Sequence, residues 1–326
     1  YYEILSYVNN LLTFTNLKCL FLNNNCIKKI ENLNDLNKLK ALYLQNNDIS
    51  TIENINCSSI VILNLSNNKI KKISNLKHLK FLEKLNISNN LIENIEDLNE
   101  VTHLESLTHL DISNNLLNIT DEGKTQKLSD YVEKGYENCS GEKCNISEIK
   151  NELKQTSTEG STTCSNTPIT EQNEDSKIFE MYLYYYENFK DEIVKEKNCY
   201  TIKYHPNVET MDQPNKKKFF FLCEFILLLK KIKNLKTLFV KNNPFVNKIR
   251  HVPKYLIANV PHLLFLDDQK IKKENICLAR VFLKHGKIAE NELQKLFAKK
   301  KNEKYKNLTE KFHSFLLSRS EKQKET

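Results

Sequence analysis

An α/β solenoid that lays one parallel strand per turn on its concave face is the fold class the sequence predicts, and three observations predict it. A nine-residue pattern, L-x-x-L-x-L-x-x-N, recurs as LKCLFLNNN from Leu17, LKALYLQNN from Leu39, IVILNLSNN from Ile60, LEKLNISNN from Leu82 and LTHLDISNN from Leu107. The starts lie 22, 21, 22 and 25 residues apart, the near-fixed interval of stacked repeat units. A further copy, LKTLFVKNN, begins at Leu235 after a long interruption.

Each position of this leucine-rich repeat has a physical job. Alternate residues of a strand face opposite ways, so the fourth and sixth positions point inward together. Leu20/Leu22, Leu42/Leu44, Leu63/Leu65, Leu85/Ile87, Leu110/Ile112 and Leu238/Val240 therefore stack into one core. The ninth-position asparagines Asn25, Asn47, Asn68, Asn90, Asn115 and Asn243 fall where the chain turns off the strand. Their amides can satisfy backbone groups that the turn leaves unpaired. A second apolar pair follows each of the first four, Ile27/Ile30, Ile49/Ile52, Ile70/Ile73 and Ile92/Ile95, and closes the convex side. A single unit cannot bury its own apolar face, so the stack is stable only as a stack and needs capped ends.

Four segments follow from this pattern. Residues 1–120 hold the N-terminal repeats, 121–215 a low-complexity insertion, 216–271 the final repeat and cap, and 272–326 a basic helical extension. The stretch from Glu133 to Lys177 is rich in Glu, Ser, Thr, Asn and Lys, too polar to offset its ordering entropy, so disorder is expected there. Within the insertion, the aromatic run IFEMYLYYYENF from Ile178 to Phe189 is expected to lie on the solenoid as a strand or helix. Phe219 to Lys231 restores a buried convex helix before Leu235, its apolar core far short of the roughly 20 residues that cross a bilayer. The cap comprises Asn243-Pro244-Phe245 and then Val260 to Asp268, with Pro244, Leu263, Leu266, Asp267 and Asp268 as its signature. After Lys287, Leu293, Leu296 and Phe297, then Leu308, Phe312, Phe315 and Leu316, recur at helical spacing, which predicts one or two amphipathic helices.

Composition bounds the function. With 40% hydrophobic and 28% charged residues the chain can bury a core, and neither a membrane-spanning nor a wholly disordered class fits. The net charge of +8 is spread over scattered lysines, which suits a solvated surface better than a nucleic-acid site. Nine cysteines with no C-x-x-C pair, Cys139 and Cys144 among them, read as reduced thiols in an intracellular compartment. Tyr1 opens the chain with no leader-like segment, so an upstream piece is expected. There is no phosphate-cradling glycine loop, no H-E-x-x-H and no G-x-S-x-G elbow, so neither catalysis nor a cofactor or metal site is expected. His109 and Asp111, two apart on a strand, read as a hydrogen-bonded surface pair.

Outward strand positions are where a solenoid offers itself to partners. The fifth positions are Phe21, Tyr43, Asn64, Asn86, Asp111 and Phe239, and the neighbouring third positions include Ile62, Lys84 and His109. Phe21 and Tyr43 have two uses, packing on each other across adjacent strands or anchoring a partner, and the sequence reading takes the second.

The finer motifs carry a family resemblance. Ile30-Glu31-Asn32-Leu33 is echoed by Ile52-Glu53-Asn54-Ile55 and Ile95-Glu96-Asp97-Leu98, and the cap ends in Leu266-Asp267-Asp268. Beyond it runs KKENICLARVFLKHG, Lys272 to Gly286. The set resembles the leucine-rich-repeat assembly factors of axonemal dynein, within the phosphatase-regulator-like group of repeats of about 22 residues. The Tyr-Arg usual inside that cap is replaced by Val252-Pro253, with Tyr255 available to fill the space. The resemblance implies a cytoplasmic scaffold that helps dynein arms assemble for cilia or flagella. It implies protein partners, dynein subunits or co-chaperone assembly factors, and no small-molecule substrate, nucleic acid or membrane. Two other roles suit the same group, a regulatory subunit of a protein phosphatase and a component of a spliceosomal ribonucleoprotein.

Overall fold

The computed structural model describes residues 5, 6, 8, 11, 13–119 and 213–322, with side chains described as far as residue 311. The expected insertion with its aromatic run, Cys139, Cys144, and the side chains of Phe312, Phe315 and Leu316 lie outside the described residues. Two compact units divide the described chain after Ile276.

The first unit is the solenoid. Six three-residue strands come one per repeat: β1 (Cys19–Phe21), β2 (Ala41–Tyr43), β3 (Ile62–Asn64), β4 (Lys84–Asn86), β5 (His109–Asp111) and β6 (Thr237–Phe239). They form one sheet in sequence order, each parallel to its neighbour. Leu20, Leu42, Leu63, Leu85, Leu110 and Leu238 stand opposite one another in register. Register survives the interruption, since β5 pairs directly with β6 although more than a hundred residues separate them in sequence. Both inward columns are buried except at Leu20, which is half-buried because β1 is hydrogen-bonded to a strand on one side only.

The convex side differs from repeat to repeat. In the first three, Asn32, Asn54 and Asn75 adopt left-handed backbone with φ of 58°, 56° and 60°. Asn tolerates that region better than other residues bearing a Cβ. Their amides donate one repeat back, to the carbonyls of Val8, Ile30 and Ile52. The I-E-N-L phrase is therefore a turn with its own hydrogen-bond ladder. The fourth repeat, three residues longer than a 22-residue unit, replaces that turn with a 3₁₀ helix over Ile95–His103, a conformation of three residues per turn.

In the fifth repeat the convex element is α1 (Gln213–Lys231), which starts three residues before the boundary read from sequence. Phe219, Leu222, Phe225 and Ile226 are buried on it, and it packs against the 3₁₀ helix of the preceding repeat. Two short helices follow β6, α2 (Pro244–Lys248) and α3 (Val252–Asn259). Both have Pro in the first turn, where a missing N–H costs nothing. Rings of Phe221, Phe225 and Phe245 meet at centroid distances of 5.1 and 5.3 Å, and Tyr255 meets Phe219 edge-on at 6.4 Å. Burial pushes the Tyr255 hydroxyl up to about 12.

The cap goes beyond the sequence reading, because it adds strand. β7 (Phe265–Leu266) pairs parallel to β6, and β8 (Gln269–Lys270) folds back antiparallel on it. Leu263 and Leu266 are buried, and Asp267 turns between the strands at φ 50°.

The second unit holds most of α4 (Lys273–Lys322), a helical run broken at Gly286, where φ is 83° and ψ −174°. It is two helices in succession, with glycine at the one position whose backbone an L side chain resists. Leu293 is buried and Leu296 and Phe297 half-buried, whereas Leu308, expected on the apolar face, is exposed. Every side chain from Ala298 to Lys311 is exposed.

Candidate partner-binding surface

What holds the strand face in register is the asparagine ladder. Asn90 donates from Nδ2 to the Leu65 carbonyl of the previous repeat and to its own Ile87 carbonyl, while Oδ1 accepts from the Ile70 amide at 2.9 Å. Asn47, Asn68, Asn115 and Asn243 repeat this pattern, the last across the interruption to Ile112 and Leu117. Asn25 has the same role at the first turn, accepting from the Leu5 amide. Sequence reasoning missed the residue before each of these. Asn24, Asn46, Asn67, Asn89, Asn114 and Asn242 all sit left-handed with φ between 53° and 60°. At the far end the Asp267 carboxylate accepts from the amides of Val240 and Lys241, standing in for the next-strand carbonyl that takes the equivalent of the Val240 amide in the earlier repeats. Asp268 pairs with Lys241 at 2.6 Å.

On this frame the outward side chains form columns. Phe21 and Tyr43 stack with centroids 4.7 Å apart and planes 5° from parallel, yet Phe21 keeps 65% of its surface exposed. The stack covers one ring face of Phe21 and presents the other to solvent. Cross-strand packing and an available aromatic surface thus coexist. Along the same column, Asn64, Asn86 and Asp111 each turn Oδ1 back to the backbone amide and hydroxyl of the serine two residues on, Ser66, Ser88 and Ser113. These three side chains brace the exit from the strand as well as facing outward.

The expected His109–Asp111 hydrogen bond does not form. Asp111 is held by Ser113, and His109 Nδ1 lies 2.7 Å from the Thr108 hydroxyl. Partial burial holds the His109 imidazole below its ordinary range, helped by the charges of Lys84 and Lys236 and opposed by Glu83. Ile62 and Phe239 are half-buried and Lys84 is exposed. Phe265 and Leu264, which sequence reasoning assigned to the cap alone, are exposed on β7 and just before it, beside β6. The apolar end of the face is broader than the fifth-position column implied.

Among the described residues no group of three or more His, Cys, Asp or Glu side chains is placed to hold a metal ion. Among the same residues no helix is long and apolar enough to cross a membrane. Cys57 and Cys223 are buried thiols whose ionisation burial disfavours, and Cys19 and Cys26 are exposed.

One strand per repeat, in-register parallel pairing and an asparagine hydrogen-bonded into each of the six turns define a leucine-rich-repeat solenoid, a class that serves as protein-interaction scaffolds. The family described as Leucine Rich repeats (2 copies) matches residues 15–57 and 58–100. Among curated proteins, the chain is similar to the Leucine-rich repeat-containing protein ODA7 of Chlamydomonas reinhardtii, 28% identical over 90 residues. That match covers 28% of this chain and 20% of the relative, so it spans about a fifth of the relative's length. These findings support the resemblance to the leucine-rich-repeat dynein assembly factors drawn from the sequence. Among solved structures, an internalin, InlF, from Listeria monocytogenes is 29% identical with a TM-score of 0.34, over 35% of this chain and 34% of that one. Internalin C2 of the same organism is 22% identical with a TM-score of 0.31, over 36% and 51%.

Proposed function

We propose that this chain is a scaffold that assists the cytoplasmic preassembly of axonemal dynein arms for cilia or flagella, and that it grips its protein partners on the strand face. The observation that carries the reading is the similarity of its repeats to those of ODA7. The I-E-N-L turns and the Leu266-Asp267-Asp268 closure point the same way. The strand face suits such a role physically, since large aromatic surface turned to solvent at Phe21 is costly unless a partner covers it.

Disrupting the gene in a flagellated cell and scoring axoneme cross-sections by electron microscopy tests this. Missing dynein arms, restored by the wild-type chain, are expected. Intact arms with normal motility overturn the proposal.

A further inference from the structure

The strand face is not uniform. At one end stands the Phe21–Tyr43 stack, and at the other are Phe239 and the exposed Phe265. Between them, Lys84 projects from β4 and Lys236 from the residue before β6, both exposed, on either side of His109. Lys69, Lys80, Lys241 and Lys287 are each held in an ion pair, whereas Lys84 and Lys236 have none among the described residues. Protonation of His109 is disfavoured first by burial and then by the charges of Lys84 and Lys236, against Glu83. Asp111, the other acidic group there, is turned toward Ser113.

Distance sets the ligand's length. Neighbouring strands lie about 4.8 Å apart, so β1 and β6 are separated by about 24 Å along the sheet. An extended chain rising about 3.3 Å per residue covers that span in about seven residues.

Building on the strand-face reading above, we propose that this surface takes an extended acidic segment of a partner protein, with two apolar anchors about eight residues apart, the even spacing nearest to that span that turns both toward the sheet. The anchors seat on Phe21–Tyr43 and on Phe239 with Phe265, and carboxylates between them sit over Lys84 and Lys236. Apolar anchors supply affinity, and the lysines supply selectivity and rate of encounter.

The test titrates the full chain, by fluorescence anisotropy, into fluorescein-labelled Leu-Ser-Glu-Ser-Glu-Ser-Glu-Ser-Leu, whose leucines and glutamates share one face when extended, and into the same peptide with lysines for glutamates. The acidic peptide is expected to bind at least about tenfold tighter at low salt, with the preference shrinking as salt rises. Lys84→Glu with Lys236→Glu, both at exposed positions, should abolish or reverse that preference. Equal binding of the two peptides, binding of neither, or an unchanged preference in the charge-reversed variant overturns the assignment. Rescue of dynein arms in the gene disruptant separates this failure from failure of the strand-face reading. If Phe21→Ala/Tyr43→Ala loses rescue while Lys84→Glu/Lys236→Glu keeps it, the acidic ligand is wrong and the strand-face reading stands. If both variants rescue fully, the strand-face reading falls as well.

Discussion

The repeats before the interruption and the closing segment after it build the same sheet from different cores. From Val8 to Leu117 every buried apolar side chain in the described residues is aliphatic, apart from Cys57. From Phe219 onward, phenylalanines fill the convex side, with Phe219, Phe225 and Phe245 buried and Phe221 packed against them. The convex element changes from a left-handed asparagine turn to a 3₁₀ helix to the 19-residue α1, yet strand register does not change at all. Register is set by the aliphatic residues at positions one, four and six and by the ninth-position asparagine, which together occupy only four residues of each unit. The convex side is therefore free to vary, and an insertion that enters there leaves the outward strand face continuous.

Removing a fully buried ring from the closing segment should have the largest effect. Phe245 is fully buried against Phe221 and Phe225. Phe245→Ala is expected to cost about 3–5 kcal/mol, against about 2–5 for Leu63→Ala in the aliphatic half. Denaturant melts of the two variants compare the halves directly. If Phe245→Ala costs less than about 1 kcal/mol, the aromatic cluster does not hold the cap down.

The two adjacent asparagines of each turn offer a sharper contrast. Asn90→Ala leaves the Leu65 and Ile87 carbonyls and the Ile70 amide without their side-chain partner, and should cost about 2–3 kcal/mol. Asn89, one residue earlier, contributes a left-handed backbone at φ 53°. Asn89→Ala should cost about 1 kcal/mol and Asn89→Gly much less, because glycine meets no steric penalty there. Thermal melts of the three variants check the order. Equal losses for both alanine variants would mean that ladder and turn are not separable.

That contrast also shows what the sequence could reveal. The strands and their inward columns were legible because L-x-x-L-x-L encodes the pleat directly. The ninth-position asparagines were legible because their place at the turn demands a polar partner for the backbone. The role of Asn24 and its equivalents was hidden, since one residue type in adjacent positions serves two purposes and only backbone angles tell them apart. β7 was hidden because VPHLLFLDD lacks the turn asparagine, and Asp267 replaces a next-strand carbonyl with its carboxylate. The aromatic surface at Phe21 was readable from strand alternation, but the stack with Tyr43 was one of two options that alternation alone could not separate. The His109–Asp111 pair was misread because a serine two residues after the aspartate competes for its oxygen at closer range.

His109 gives the smallest effect, and it bears on the middle of the face rather than on either end. Its folded-state affinity for protons is below that of an unfolded histidine, first through desolvation and then through Lys84 and Lys236. The unfolded chain therefore binds more protons as pH falls through about 6.5, and stability declines from there down to the folded value. His109→Gln should flatten that decline, shifting the melting temperature at pH 5.5 relative to pH 7.5 by a degree or so more in the wild type than in the variant. Lys84→Glu should act oppositely on the imidazole, raising its proton affinity by replacing a repelling charge with an attracting one. Nuclear magnetic resonance titration of the His109 ring in both proteins measures the two values, and an unmoved titration in Lys84→Glu would mean that Lys84 does not set the potential over the centre of the strand face.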